Sequence, residues 1–88
     1  MMFRRAEGVV LQVVDQRAFL LDATGTEMIV LNPVGTMVWE ALDGPLDVGA
    51  IADSLANRFE DVSLAQLVSD LGEFLDELAE LGLVVPVT

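Results

Sequence analysis

The apolar positions change period once along the chain. From Gly8 to Leu31 they come in short runs: GVVLQVV, RAFLLD and EMIVL. These runs are rich in β-branched and large apolar residues, so they predict strands over Gly8–Val14, Arg17–Asp22 and Glu27–Leu31. Asp15-Gln16 is a candidate tight turn without the glycine of the strongest hairpin signals. Ala23–Thr26 is a clearer one, because Gly25 can take a positive φ. Three strands with such short connections predict an antiparallel meander.

From Asn32 the period becomes helical. Asn32 suits an N-cap and Pro33 the first helical position, which predicts a helix over Pro33–Leu42 with an apolar stripe of Val34, Met37, Val38, Ala41 and Leu42. Gly44-Pro45 closes it. Asp47 can cap a second helix over Val48–Phe59, with stripe Val48, Ile51, Ala52, Leu55 and Phe59. Glu60-Asp61-Val62 reads as a connector. Ser63 with Gln66 makes an S-x-x-Q capping box for a long third helix ending at Gly82. The apolar positions of that helix are Leu64, Leu67, Val68, Leu71, Phe74, Leu75, Leu78 and Leu81, a regular 3.6-residue stripe. Leu83–Val87 reads as a short extended tail. The order is β-β-β-α-α-α: an α+β fold with a three-stranded antiparallel sheet followed by three helices. The sheet has an apolar face for the helices to cover.

Length and composition fit one domain over residues 1–88. A chain this short buries only about 60–65% of its unfolded surface. With 53% apolar residues, it is therefore expected to leave an apolar patch outside, where a partner can bind. The absence of Cys and His removes disulfides, thiol nucleophiles and imidazole bases or ligands. No signal peptide and no apolar run long enough for a bilayer is seen, so the expected location is the cytoplasm, with no membrane partner.

The formal net charge is −11, and it is uneven. Residues 1–34 carry three Arg against Glu7, Asp15, Asp22 and Glu27, a net of −1, whereas residues 35–88 carry Arg58 against eleven acids, a net of −10. Three strands and three helices are compatible with a winged-helix arrangement, which often binds DNA. A helix bearing Asp70, Glu73, Asp76, Glu77 and Glu80 would be repelled by phosphate, so nucleic acid is excluded as partner. The acidic surface serves solubility, or attracts a basic peptide.

Enzymatic chemistry finds little support. The third-helix acids lie opposite the leucine stripe, and none is placed as an acid/base pair in a cleft. No calcium-loop spacing or glycine-rich phosphate loop is present, so no metal and no cofactor is expected. Asp53-Ser54-Leu55 resembles the attachment site of acyl carrier proteins, in which the serine carries a phosphopantetheine arm. That Ser opens a helix in an all-helical domain, whereas Ser54 falls inside a predicted helix of a chain with strands. Trp39, the single tryptophan, falls beside the first helical stripe and reads as a core anchor.

The ordered set Leu31-Asn32, Gly35, Val38-Trp39, Leu42-Asp43-Gly44, Ile51, Phe59, Asp70, Phe74-Leu75 and Gly82-Leu83 resembles the pattern of the PqqD-like family, over about residues 27–85. No one of these motifs is diagnostic, and Asn32-Pro33-Val34 departs from the commoner Asn-x-Thr. These are RiPP recognition elements, which bind the leader peptides of ribosomally made precursors. The resemblance implies a winged-helix-like fold and a non-catalytic adaptor. It also implies a leader peptide paired antiparallel with the third predicted strand and lying against the third helix.

Mapped onto this chain, the strand side is Glu27, Met28, Ile29, Val30 and Leu31. The helix side is the bulky, acidic flank of Leu67, Asp70, Phe74, Glu77 and Leu81, with Leu71 and Leu78 as its floor, while Val68, Gly72 and Ala79 on the other flank pack closely inside the domain. The implied client is a radical SAM enzyme in quinone-cofactor (PQQ) type pathways, or a leader peptidase and cyclase in lasso peptide pathways. A structural domain that uses the same open edge to close a homodimer is the alternative.

Overall fold

A computed structural model describes residues 2–59 and 61–87; Glu60, which falls in the predicted connector, lies outside the described residues. The elements in order are β1 (Met2–Arg5), β2 (Val10–Val14), β3 (Arg17–Leu21), β4 (Met28–Val30), α1 (Pro33–Ala41), β5 (Leu46–Asp47), α2 (Val48–Leu55) and α3 (Leu64–Glu80), with β6 (Val84–Val87) last. Every strand pairing is antiparallel. The strands form two three-stranded sheets, ordered β2-β3-β4 and β5-β1-β6.

The first sheet is the expected meander. Its β2–β3 turn places both Asp15 and Gln16 at positive φ, 52° and 66°. This is the twist that a two-residue hairpin requires, adopted here without a glycine at a cost of about 1–2 kcal/mol per residue. The β3–β4 turn is held by Asp22, whose carboxylate accepts from the Thr24 hydroxyl at 2.8 Å and the Thr26 N–H at 3.1 Å. These bonds, that of Thr24 foremost, hold the Asp22 carboxyl below its usual pKa.

The second sheet is absent from the sequence reading. Its central strand, MFRR, is short and half cationic, yet Phe3 is buried and Arg5, two residues on, points to the same side. Arg5 lies 5.3 Å over the Trp39 ring and donates from Nη2 to the Trp39 carbonyl at 2.7 Å. The guanidinium is thereby lodged as a cation–π partner against α1. The tail at Leu83–Val87 pairs with β1 as β6, and Pro86 is tolerated because β6 is an edge strand.

The three helices start at the expected caps. The side chains of Asn32, Asp47 and Ser63 accept from the N–H groups of Gly35, Ala50 and Gln66. Two helical expectations change. The predicted second helix stops at Leu55 and tightens into a 3₁₀ turn, Ala56–Arg58. Phe59, the last member of the expected stripe, lies beyond this turn and packs half-buried against the core. In α1 the buried face is Gly35, Thr36, Val38, Trp39 and Leu42, and Val34 is exposed, so the stripe is rotated from the one expected. The rotation brings Thr36 beneath β3, where its Oγ1 accepts the Ala18 N–H at 2.8 Å.

The core joins both sheets to all three helices through Phe3, Leu20, Leu31, Trp39, Ile51, Leu75 and Leu83, among others. Trp39 is 2% exposed, an anchor as its place beside the stripe suggests. The molecule measures 37 × 34 × 18 Å, so its thin axis holds little more than one layer of helices over sheet. The meander is consequently covered on one face only.

Candidate functional site

In an antiparallel ladder, successive residues alternate between facing a neighbour strand and facing away from it. Leu31 N–H donates to the Ala18 carbonyl at 2.8 Å, and Asp22 N–H donates to the Glu27 carbonyl at 3.1 Å. The groups of Glu27, Ile29 and Leu31 therefore turn toward β3. Met28 and Val30, which stand opposite Leu21 and Phe19, direct their N–H and C=O away from the sheet. With β4 at the sheet's edge, these four groups are open to an incoming strand. The side chains of Met28 and Val30 are 63% and 47% exposed, Ile29 is half-buried, and Leu31 lies in the core at 4%.

Where β4 runs into α1, a pocket of about 360 Å³ opens between α1 and the first half of α3. Asn32 and, from α1, Val34, Gly35 and Val38 form one side; Leu67, Asp70, Leu71 and Phe74 of α3 form the other; Phe59 and Val62 close the end. Gly35 is what allows α3 this close, since a Cβ there would stand 3.1 Å from Phe74 Cζ and 3.3 Å from the capping oxygen of Asn32. The lining is apolar apart from Asn32 and Asp70, and Asp70 Oδ1 accepts from Gln66 Nε2 at 2.9 Å. Asp70 and Glu77 are exposed, so the open side of the pocket faces an acidic helix surface.

The structure thus gathers Leu67, Asp70, Leu71 and Phe74 at one pocket near the end of β4. It leaves Glu77 and Leu78 outside the lining, Leu78 being buried at 3%. Asn32, Val34, Gly35, Val38, Phe59 and Val62 complete the pocket and are missing from the sequence-derived set. The signals for them were a glycine inside an apolar helix and, once α1 is rotated, an apolar Val34 left outside the buried face. The opposite flank of α3 is packed in part, Gly72 being the exception. Val68 and Ala79 pack half-buried on the core, but a Cβ at Gly72 would meet no atom within 4 Å.

Ser54 stands near the end of α2 with its hydroxyl donating to the Ile51 carbonyl at 2.8 Å. It does not open a helix as a carrier serine does, and the sheets separate this fold from an all-helical carrier domain. Among the described residues no group of acidic side chains is placed to hold a metal ion, and no helix is long and apolar enough to cross a membrane.

Comparison with curated protein sequences returned no match. Two solved structures share the fold over nearly the whole length of both chains. TbiB1 in complex with the TbiA(beta) leader peptide is 26% identical, with 97% of this chain and 98% of that chain covered and a TM-score of 0.82. Lasso peptide synthetase B1 complexed with the leader peptide is 25% identical, with 96% and 98% covered and a TM-score of 0.77. The sequence model of Coenzyme PQQ synthesis protein D (PqqD) matches residues 7–84. A match from before β2 into β6, together with the same α+β architecture in the solved structures, establishes that this chain belongs to the PqqD family.

Proposed function

We propose that this protein is a non-catalytic recognition element that captures the leader of a ribosomally made precursor by strand addition to β4. The observation that carries this reading is the open edge at Met28 and Val30 beside an apolar pocket. Backbone pairing supplies affinity with little demand on sequence, and the pocket selects a side chain. At about 360 Å³ it suits one large apolar or aromatic side chain of the peptide. Asp70 at its rim and Glu77 one helix stretch on attract basic residues of the leader, a contribution that salt weakens.

Holding the leader tethers the rest of the precursor near the enzyme that modifies it, raising its effective concentration without any chemistry by this chain. The likeness to a lasso peptide synthetase B1 favours a leader peptidase and a cyclase as those enzymes, ahead of a radical SAM enzyme of a quinone-cofactor pathway. The encounter takes place in the cytoplasm, where precursors are made.

The test is a titration with the leader peptide, followed by amide chemical shifts. Residues 27–31 are expected to move together with Phe74. If only the acidic face of α3 responds, strand addition is wrong. Val30→Pro removes an outward N–H without touching the ladder to β3, as an edge strand allows. One lost hydrogen bond of about 0.5–1.5 kcal/mol predicts binding weakened about 2- to 13-fold in a protein whose circular dichroism is unchanged. A homodimer closed through β4 would compete with the peptide. Light scattering showing a concentration-independent dimer that blocks the titration would replace the present reading.

A further inference from the structure

The first sheet has a second free edge, and it is longer and more apolar than β4. All five residues of β2 are exposed, with Val10 at 59%, Leu11 at 41%, Val13 at 46% and Val14 at 48%. Both faces of β2 are exposed, with Val13 bordering a shallow pocket beside Met37 and Glu40 of α1. A long apolar edge of this kind is a template for pairing unless something covers it. Nothing within Gly8–Val14 carries the charge that usually blunts such an edge.

The geometry points to a second copy of this chain as the occupant, with β2 pairing antiparallel to its counterpart about a two-fold axis through Gln12. Ala18 sends its carbonyl to Leu31 N–H and its N–H to Thr36 Oγ1, both away from β2. Its partner across the ladder, Val13, therefore turns its own N–H and C=O outward, and Leu11 does the same by alternation.

The sequence Val10-Leu11-Gln12-Val13-Val14 is close to self-complementary about its centre. The two-fold register sets Leu11 against Val13 of the second copy, and Val13 against its Leu11. Those are the residues whose backbone groups are free, so an isologous ladder closes with its hydrogen bonds in phase. On the other face Val10 meets Val14, so each exposed apolar side chain gains an apolar neighbour.

Charge opposes this approach least, because residues 1–34 carry a net of −1 and Glu40, which shares a pocket with Val13, is accompanied there by Arg58. The bodies also fit. Each α1 lies over its own β3, and the two β3 strands would stand three strand spacings apart, about 14 Å. That is wider than the roughly 8–10 Å of packed helices, so the helices do not collide. The product is a continuous six-stranded sheet with a β4 edge free at either end. One strand edge buries less than the roughly 800 Å² per partner of a standard interface, which places it with weak and reversible contacts rather than with obligate dimers.

Sedimentation velocity and amide shifts recorded from about 10 µM to about 1 mM test this. The expected result is a concentration-dependent dimer whose moving amides are Val10–Val14. Leu11→Lys, which sets a charge in the interface, and Val13→Pro, which removes an outward N–H, should each raise the dimer dissociation constant at least about tenfold and leave affinity for the leader peptide within about twofold. A strict monomer at about 1 mM overturns the proposal. So does a dimer whose moving amides lie at Met28–Val30 or on the helices, or one that folded Leu11→Lys leaves intact.

Discussion

Gly72 is a glycine in the middle of α3, at neither a cap nor a positive φ, and a Cβ there meets nothing within 4 Å. Replacing it with alanine therefore collects the helix-propensity difference with no packing cost. That difference is about 0.8–1.0 kcal/mol for an interior position. For a domain of this size, 1 kcal/mol corresponds to about 4–8 °C in the melting midpoint. With a urea m-value of about 1 kcal/mol/M, near the low end for small proteins, the denaturation midpoint should rise by about 1 M. The assay is paired thermal and urea unfolding of wild type and Gly72→Ala by circular dichroism.

Gly35→Ala is the control with the opposite sign. There the new methyl is forced to within 3.1 Å of Phe74 Cζ and 3.4 Å of Leu31 Cβ. Overpacking of this kind costs about 1–3 kcal/mol. It also pushes the Phe74 ring within the pocket, so Gly35→Ala should lower leader affinity as well, whereas Gly72→Ala, on the far flank of α3, should not. An unchanged or lowered midpoint for Gly72→Ala would refute the reasoning, because it would mean that this flank is pressed against a neighbour.

Two further outcomes follow from the polar ties that hold the meander in place. Thr36→Val keeps the side-chain shape but leaves the buried Ala18 N–H without its acceptor, and should cost about 1–3 kcal/mol in urea unfolding, with amide exchange at Ala18 accelerated. At Asp22 the folded-state pKa is lowered, chiefly by the Thr24 hydroxyl, so the unfolded chain binds the proton more readily. The turn's contribution is complete above the ordinary aspartate range and is lost as pH falls through the lowered value. Amide shifts of Met28–Val30 should titrate in that acid window and stop doing so in Asp22→Asn.

The local elements were legible because their causes are local. Period-two apolar runs, the capping side chains of Asn32, Asp47 and Ser63, and the 3.6-residue stripe of α3 act within a few residues of themselves. The meander, three helices and a peptide-binding family could all be read from the chain. What could not be read is whatever depends on residues far apart in sequence. β1 and β6 become strands only because they meet each other, and Arg5 is drawn inward by a Trp39 ring 34 positions away. The same holds for the face that α1 buries, which the Thr36 bond to Ala18 fixes, and for the pocket, whose walls come from α1, α3 and the turn after α2.

The open edges divide in the same way. Sequence alone could say that Met28–Leu31 was a strand. Which of its residues offer free backbone groups was decided by the register against β3, because shifting a strand by one residue exchanges every inward group for an outward one.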